Sequence, residues 1–557
     1  MSAKFVQRMS TSKIQKPLCF AHAFLFFLST MWIIGGCNSY GSKNENKLVF
    51  TMNIFSGITT LDPAFAKDQS AIWTTHQIFN GLVKLDHHLQ PMPDLARSWE
   101  ISADLKTYTF HLKQGIFFHE SPKLKFKSRA FNAHDFLFSF QRVMDPEVAS
   151  SGAWIFNDKV DSLLPFEAPN DSTFIIRLRK PFAPFLGLLS MPYASVVAQE
   201  TVNHDQFSTH PVGTGPFQVF EHGPGEALIL HKNLRYHETD SQGVQLPYLD
   251  AVKITFIPDR SSEFISFLAG NLDFINGLDA AYKDKLLDKT GNLQPALREK
   301  INYLKSPYLN TEYLGFSMSE KCPLAYRNPL VRKAMACGFD RGNMLKYLRN
   351  NIGIPGTGSI IPPGLPGFDS TLMGTNRFQP QLAEKLLQEA GFPNGRNLPK
   401  IKLWTNPTYL DLCLFLQDSW KKLGIPVEIE SMPPAQLRKA IKSGEAAFFR
   451  ASWIADYPHC ENYFQLFYSK NFSPQGPNTT HFSNPWYDQL FQEYSQLSQQ
   501  LESEKTASKL QKFIIQESPV IVLYYDQVVR FSQKKWEGLE PNAINQLELS
   551  HVRPASH

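Results

Sequence analysis

Near residue 400, short apolar runs alternate with amphipathic segments, which is the most regular pattern of hydrophobic and polar positions in the chain. Apolar runs of this length indicate buried strands, and apolar residues spaced three and four apart indicate helices. Gly424 and Gly444 follow the two helical patterns and mark their ends. The predicted order is strand, helix, strand, helix, strand, over residues 401–404, 410–423, 427–430, 434–443 and the run from 448 onward. This order predicts a parallel sheet with right-handed crossovers.

The last of these apolar runs ends in an aspartate, Asp456, which is followed by Tyr457 and Pro458. In open parallel sheets, ligands bind beyond the carboxyl ends of the strands. Chain order alone therefore places the Asp456 carboxylate where a ligand is expected. An aspartate in such a place is also typical of a surface turn or a helix cap.

Elsewhere in the chain, the pattern of hydrophobic and polar positions predicts further strands and helices. Residues 108–113 alternate between apolar and polar with period two, which predicts a half-buried strand. Asn328 and Pro329 predict the start of a helix, with Asn328 as N-cap. The glycine-rich stretch 211–217 has no Lys-Ser/Thr after it and contains a proline, so it predicts a tight turn leading into a strand and not a phosphate loop.

Size and charge exclude some classes of protein. A chain of 557 residues is too long for one hydrophobic core and predicts several domains. The formal net charge of +5 includes four basic residues within residues 1–36, a segment without Asp or Glu, so the rest of the chain lies near +1. This charge gives no electrostatic case for nucleic-acid binding.

Residues 1–36 have the layout of an export signal, with basic residues followed by an apolar stretch. The segment ends in Ile-Gly-Gly before Cys37, which resembles the lipobox of bacterial lipoproteins, in which Cys37 would carry the lipid. The alternative is an uncleaved membrane anchor, because the apolar run approaches the length that spans a bilayer. In both cases the rest of the chain lies outside the cytoplasm, and residues 37–46 are interpreted as a tether.

The remaining cysteines show no metal-binding spacing. They are Cys322, Cys337, Cys413 and Cys460. With no CxxC and no HExxH motif, neither a metal site nor a cofactor is predicted. An exported chain permits a disulfide, and the sequence leaves the pairing open.

Several short motifs occur in an order that is similar to one family. They include Leu61-Asp62-Pro63, Phe79-Asn80-Gly81-Leu82, Gly213-Thr214-Gly215-Pro216-Phe217, Asn328-Pro329-Leu330-Val331-Arg332 and Trp453-Ile454-Ala455-Asp456-Tyr457. Together they resemble the extracytoplasmic solute-binding proteins of family 5, the oligopeptide- and dipeptide-binding proteins of ABC importers. The resemblance covers nearly the whole chain after the signal segment.

This resemblance implies an α/β, bilobed periplasmic-binding-protein fold, type II-like and of cluster C, with an inserted extra domain. The first lobe would comprise residues 47–84, 205–303 and 516–557. The inserted small domain would comprise residues 85–204, and the second lobe residues 304–515. A ligand would be enclosed between the lobes by hinge closure.

The family also implies a role without chemistry on the ligand. The protein would be an exported, membrane-anchored lipoprotein facing the periplasm or the cell exterior, a monomer that delivers peptides to the permease subunits of an ABC importer. Asp456 would pair with the α-ammonium of the peptide, and Arg450 would lie near its carboxylate. Trp453 would line a side-chain pocket, and Tyr457 completes the motif. Arg450 could instead pair with a structural carboxylate, and Trp453 could belong to the core.

Two features keep other functions open. Ile454 stands where well-known oligopeptide binders have a cysteine, and relatives on this fold also bind nickel or metallophores, haem or saccharides. An exported hydrolase is the alternative from another class. The GxSxG and HExxH motifs of hydrolases are absent from the sequence, whereas a paired-carboxylate site leaves no such signature.

Overall fold

The computed structural model describes residues 47–223, 227–279, 282–497 and 500–556, so the predicted signal segment, Cys37 and the tether lie outside the described residues. The strands are β1 Val49–Asn53, β2 Val83–Leu85, β3 Pro91–Pro93, β4 Ala96–Ile101, β5 Thr107–Leu112, β6 Phe166–Asn170, β7 Thr173–Arg177, β8 Phe217–Glu221, β9 Leu228–Lys232, β10 Ala251–Thr255, β11 Phe274–Asn276, β12 Ile301–Phe316, β13 Ile354–Pro355, β14 Ile401–Thr405, β15 Val427–Ser431, β16 Phe448–Ile454, β17 Val520–Gln533, β18 Trp536–Glu537 and β19 Arg553–Pro554.

Helices lie between these strands. They are α1 Gln69–Ile78, α2 Ala133–Met144, α3 Phe185–Leu188, α4 Gln199–Val202, α5 Arg260–Leu268, α6 Lys283–Leu286, α7 Leu324–Arg327, α8 Pro329–Cys337, α9 Arg341–Arg349, α10 Pro380–Glu389, α11 Leu410–Lys421, α12 Pro434–Lys442, α13 Glu461–Phe464, α14 Pro485–Tyr494 and α15 Gln500–Glu517. None of the described helices combines the length and the apolar character needed to cross a bilayer.

The predicted strand and helix series near residue 400 is confirmed as β14, α11, β15, α12 and β16. Strand β14 pairs in parallel with both β15 and β16. Gly424 and Gly444 follow the two helices with φ of 75° and 68°, a left-handed conformation that favours glycine. The carboxyl end of β16, and Asp456 beyond it, therefore lies at the ligand-binding edge of a parallel unit.

One sheet runs through both lobes. It is 11-stranded, in the order β15-β14-β16-β12-β17-β11-β1-β10-β9-β8, with β13 paired to β17. The long strands β12 and β17 are antiparallel neighbours, and their register shifts between Pro307 and Thr311. The expected lobe boundary at residue 304 lies inside β12, because β12 and β17 continue from one lobe into the other.

A separate four-stranded antiparallel sheet, β4-β5-β7-β6, lies within the segment expected to be the inserted domain. Alternate residues of β5 are buried, so the predicted half-buried strand is confirmed. Helix α2 packs on this sheet through aromatic side chains. The rings of Phe136 and Phe140 lie 5.8 and 5.4 Å from that of Phe174. These aromatic side chains belong to an apolar cluster that the inserted segment shares with the first lobe.

The glycine-rich stretch is a turn that leads into β8, as predicted. A Cβ on Gly213 would lie 2.0 Å from the carbonyl oxygen of Ile78, and one on Gly215 would lie 2.5 Å from its carbonyl carbon. The glycines are required because the turn passes directly against the end of α1. Their role is close packing of backbone on backbone.

The four cysteines that the structure describes are all buried and free. Burial raises the pKa of the Cys413 thiol to about 11, because the charged form loses its hydration. Buried thiols of this kind behave as small apolar side chains.

Candidate ligand-binding site

The end of β16 presents an accessible face and a covered face. Ser452, Ile454 and Asp456 are exposed, whereas Ala455 is buried and Trp453 is half-buried. This alternation follows from the pleat of a strand, in which successive side chains point to opposite sides. Asp456, two residues beyond Ile454 at the end of β16, thus lies on the same accessible face as Ser452 and Ile454.

Solvent reaches the Asp456 carboxylate although protein atoms surround it on most sides. This burial raises the pKa of its carboxyl above the ordinary 3.8, and the Asn462 amide, 3.4 Å away, opposes the rise. No Lys, Arg or His in the described part of the chain shifts the pKa of this carboxyl. Asp456 is therefore a solvent-accessible carboxylate with no cation of the described residues beside it.

Asn462 holds this end of the strand in place. Its Oδ1 accepts a hydrogen bond of 2.8 Å from the Trp453 indole N–H and a longer one of 3.4 Å from the Asp456 backbone N–H. Asn462 is fully buried at the start of α13. Sequence reasoning missed this residue, because nothing in its local pattern distinguishes it from any other polar residue in a first helical turn.

Trp453 lies on the covered side of β16. Its ring packs against the hydrophobic core that includes Phe449, Tyr463 and Leu510 of the second lobe. Its indole N–H is occupied by Asn462. The structure therefore shows the core contact that the sequence left open for Trp453, and a lining role for its exposed edge stays a prediction.

The Tyr457 side chain packs in a different hydrophobic core from that of Trp453 and Ala455. Its side chain is buried and belongs to the apolar cluster of the first lobe and the inserted segment, with the Trp154 ring 6.3 Å away. Its hydroxyl donates to Glu461. The side chain therefore ties the end of β16 to the inserted segment, and direct ligand contact by Tyr457 stays a prediction.

Arg450 lies earlier in β16 and is buried with a partner of its own. It forms an ion pair with Glu312 of β12, and 7% and 2% of the two side chains are exposed. The Arg450 guanidinium also lies over the ring of Tyr409, 3.2 Å from its centroid. The structural carboxylate considered from the sequence is therefore present, and contact of Arg450 with a ligand stays a prediction.

A second ion pair adjoins the first. Arg349 contacts Asp526 at 2.9 Å, and the Asn310 amide lies between the two pairs, 3.2 Å from Glu312 and 3.3 Å from Asp526. Two arginines and two carboxylates balance one another. The network requires no outside charge.

A cavity of about 470 Å³ separates the inserted segment from the second lobe near this site. Its walls combine polar and apolar surface in similar amounts, with Tyr108, Phe182, Leu186, His459, Tyr494 and Leu497 beside Gln90, Gln496, Ser503 and Glu504. His459 lies three residues after Asp456 in the chain. The cavity has a size and lining suited to side chains of a bound solute.

Comparisons with known proteins show which family the chain belongs to. The family described as bacterial extracellular solute-binding proteins, family 5 Middle, matches residues 90–475. The chain belongs to this family. Its members are binding proteins of ABC transporters, so the protein is exported and binds a solute without transforming it.

Relatives within the family carry different solute names. The chain is similar to heme-binding protein A of Haemophilus influenzae, with 28% identity over 80% of this chain and 81% of that protein. It is 25% identical to the dipeptide-binding protein of Escherichia coli, over 85% of this chain and 88% of that one.

A solved structure shows the same fold. The periplasmic binding protein DppA of Helicobacter pylori, in complex with peptide STSA, is 27% identical, with a TM-score of 0.73 over 92% of this chain and 99% of that chain. The bilobed α/β fold implied by the motifs is thereby confirmed.

Proposed function

We propose that the protein binds peptides and that Asp456 pairs with the α-ammonium of the bound peptide. The observation that carries this proposal is the solvent-accessible Asp456 carboxylate, with no cation of the described chain beside it. A peptide of any sequence has the same amino terminus, so this contact supplies affinity without side-chain preference.

The expected contribution is large. Removing one partner of an enclosed ion pair costs about 3–5 kcal/mol, which corresponds to a loss of affinity of about a hundred- to several-thousand-fold. Strand-like hydrogen bonds to the peptide backbone supply further affinity. The exposed Ile454 beside Asp456 offers an apolar surface to the first residues of the peptide.

The proposal also includes attachment to the membrane through Cys37. A lipid on Cys37 would hold the protein at the membrane surface, where it delivers peptides to the permease of its ABC importer as a monomer. Metabolic labelling with a radioactive fatty acid tests this: the wild type should incorporate label, and Cys37→Ser should not.

The amino-terminus contact is tested by thermal stabilisation with a mixture of tri- to pentapeptides. The wild type should be stabilised, whereas N-acetylated peptides and the variant Asp456→Asn should show no shift. The matched control is Asp171→Asn, which removes an aspartate with 75% of its side chain exposed and should keep the full shift. Equal stabilisation by acetylated peptides would contradict the role of Asp456.

The second candidate ligand is haem, because a similar relative carries that name. The aromatic lining of the 470 Å³ cavity would suit a flat apolar ring. Mass spectrometry of solute co-purified with the protein, together with a haem absorption spectrum, decides between the two: peptides support the first proposal, and a stoichiometric porphyrin supports the second.

A further inference from the structure

Three side chains of metal-ligating type, from distant parts of the chain, meet where the inserted segment adjoins the first lobe, away from Asp456. They are Asp94, between β3 and β4, and His237 and Glu238, in the loop between β9 and β10. One ligand atom of each lies within 4.8 Å of the others. No sequence pattern indicates this cluster, because 143 positions separate Asp94 from His237 and no local spacing connects them.

His237 is the unusual member of this cluster. Only 9% of its side chain is exposed, yet neither ring nitrogen has a hydrogen-bond partner among the described residues. Its Nε2 points toward Asp94, 3.9 Å from Oδ1. Leaving a buried polar atom without a partner costs free energy. A group that accepted the imidazole lone pair would remove that cost.

The two carboxylates keep capacity for another partner. Asp94 accepts one hydrogen bond at each oxygen, from the Asn80 amide and the Gly81 backbone N–H, both at 3.0 Å. Each carboxylate oxygen can accept a second partner. Glu238 forms an ion pair with Lys84. Lys84 and Lys113 both lie close enough to Asp94 to act on its charge, so a bound ion would compete with these lysines for the carboxylates.

From these contacts we propose that Asp94, His237 and Glu238 bind a divalent transition-metal ion of the zinc class. One imidazole and two carboxylates, with no thiolate, form a ligand set that zinc accepts in sites with three protein ligands and a water. Zinc-bound atoms in a tetrahedral site lie about 3.4 Å apart. Asp94 and His237, 3.9 Å apart, need only a small approach, and all three ligand atoms, within 4.8 Å of one another, need to draw together around the ion.

The fourth position would face solvent. His237 and Glu238 also line a groove of about 1070 Å³ on the surface of the protein, which gives the ion a route of entry. Lys84 lines the same groove and would be displaced from Glu238 when the ion binds. The bound ion would link the start of the inserted segment to the β9–β10 loop of the first lobe.

The test is a zinc titration of the purified protein, without a polyhistidine tag, in competition with a fluorescent chelator. The wild type should bind one zinc ion, and His237→Ala should weaken binding at least about tenfold. His87→Ala is the matched control, because His87 lines the same groove outside the cluster and its loss should leave the affinity unchanged. Absence of one-to-one binding, or equal binding by His237→Ala, would overturn the proposal.

A second variant covers the case in which His237→Ala fails to fold. Lys84 competes with the ion for Glu238, so Lys84→Met should strengthen zinc binding, and unchanged or weaker binding would overturn the proposal. Peptide stabilisation of the same variants is measured in parallel. It does not depend on this cluster, so failure of zinc binding and failure of peptide binding can be told apart.

Discussion

Arg450 and Asp456 lie six residues apart on one segment, yet one charge is buried with a partner and the other is accessible to solvent. Arg450 is enclosed by Glu312 and by the ring of Tyr409, within a network whose charges balance. Among the described residues, the Asp456 carboxylate has a long contact to the Asn462 amide and no cation beside it, and it remains accessible to solvent. The first arrangement stabilises the fold, and the second holds a charge available for a partner from outside.

The difference shows where a binding charge can be found on a strand. A charged residue within the sheet is surrounded by neighbouring strands, which supply a counter-charge or exclude the residue. A charged residue just past the carboxyl end of a strand has no neighbouring strand beside it and lies where ligands bind in parallel sheets. Four predictions test this contrast, from the largest expected effect to the smallest.

The largest effect is expected from Glu312→Gln. This variant keeps the shape of the side chain but leaves the Arg450 charge buried without a partner, which should lower the free energy of unfolding by about 3–5 kcal/mol. Urea unfolding measures the change. The double variant Glu312→Gln with Arg450→Met should recover much of the loss. A Glu312→Gln protein as stable as the wild type would show that the pair is not structural.

The second prediction concerns pH. Because burial raises the pKa of Asp456 above 3.8, its carboxylate becomes protonated at a higher pH than an ordinary aspartate. Peptide affinity should fall as pH drops through that raised pKa, by about tenfold per pH unit below it. Isothermal titration calorimetry from pH 7 to pH 4 measures this. Asp456→Asn is the control, and it should bind weakly with no such dependence.

A smaller effect is expected from Trp453→Phe. The variant keeps an aromatic ring in the core but removes the N–H that donates to Asn462, which should cost about 1 kcal/mol of stability. Peptide affinity should fall as well, because Asn462 also contacts the Asp456 backbone. Chemical denaturation and titration of one preparation separate the two effects. Unchanged affinity would show that Asn462 does not position Asp456.

The smallest effect is on the stability of Asp456→Asn without peptide. The folded-state pKa of Asp456 lies above its unfolded value, so the folded protein binds more protons between the two values and loses stability as pH rises through them. Above that window the wild type carries the full unfavourable effect of the charge, and the variant does not. At pH 7 the melting temperature of Asp456→Asn should equal or slightly exceed that of the wild type. A clear decrease would mean that Asp456 has a structural partner.

Sequence patterns predicted what depends on near neighbours. The series from β14 to β16 follows from local periodicity, and Asn328 caps α8 through a hydrogen bond of 2.9 Å from the Leu330 N–H, as its sequence context predicts. The position of Asp456 at the end of a parallel strand follows from chain order. These features are local because each arises within one or two consecutive elements.

Sequence patterns did not predict contacts between segments that are far apart in the chain. Glu312 and Arg450 are 138 positions apart and meet only because β12 and β16 pair as antiparallel neighbours. The burial of Tyr457 against the inserted segment depends on how separate cores approach one another. Periodicity indicates that a side chain is covered, but it does not identify the side chains that cover it.

The burial of Tyr457 couples two events that could otherwise be independent. Asp456 and Tyr457 share a peptide bond, and the Tyr457 ring is held within the apolar cluster of the first lobe and the inserted segment. Separation of the lobes would withdraw that ring and carry the adjacent carboxylate with it. Loss of the contact between lobes and loss of the proposed ligand charge contact would thus occur in one movement.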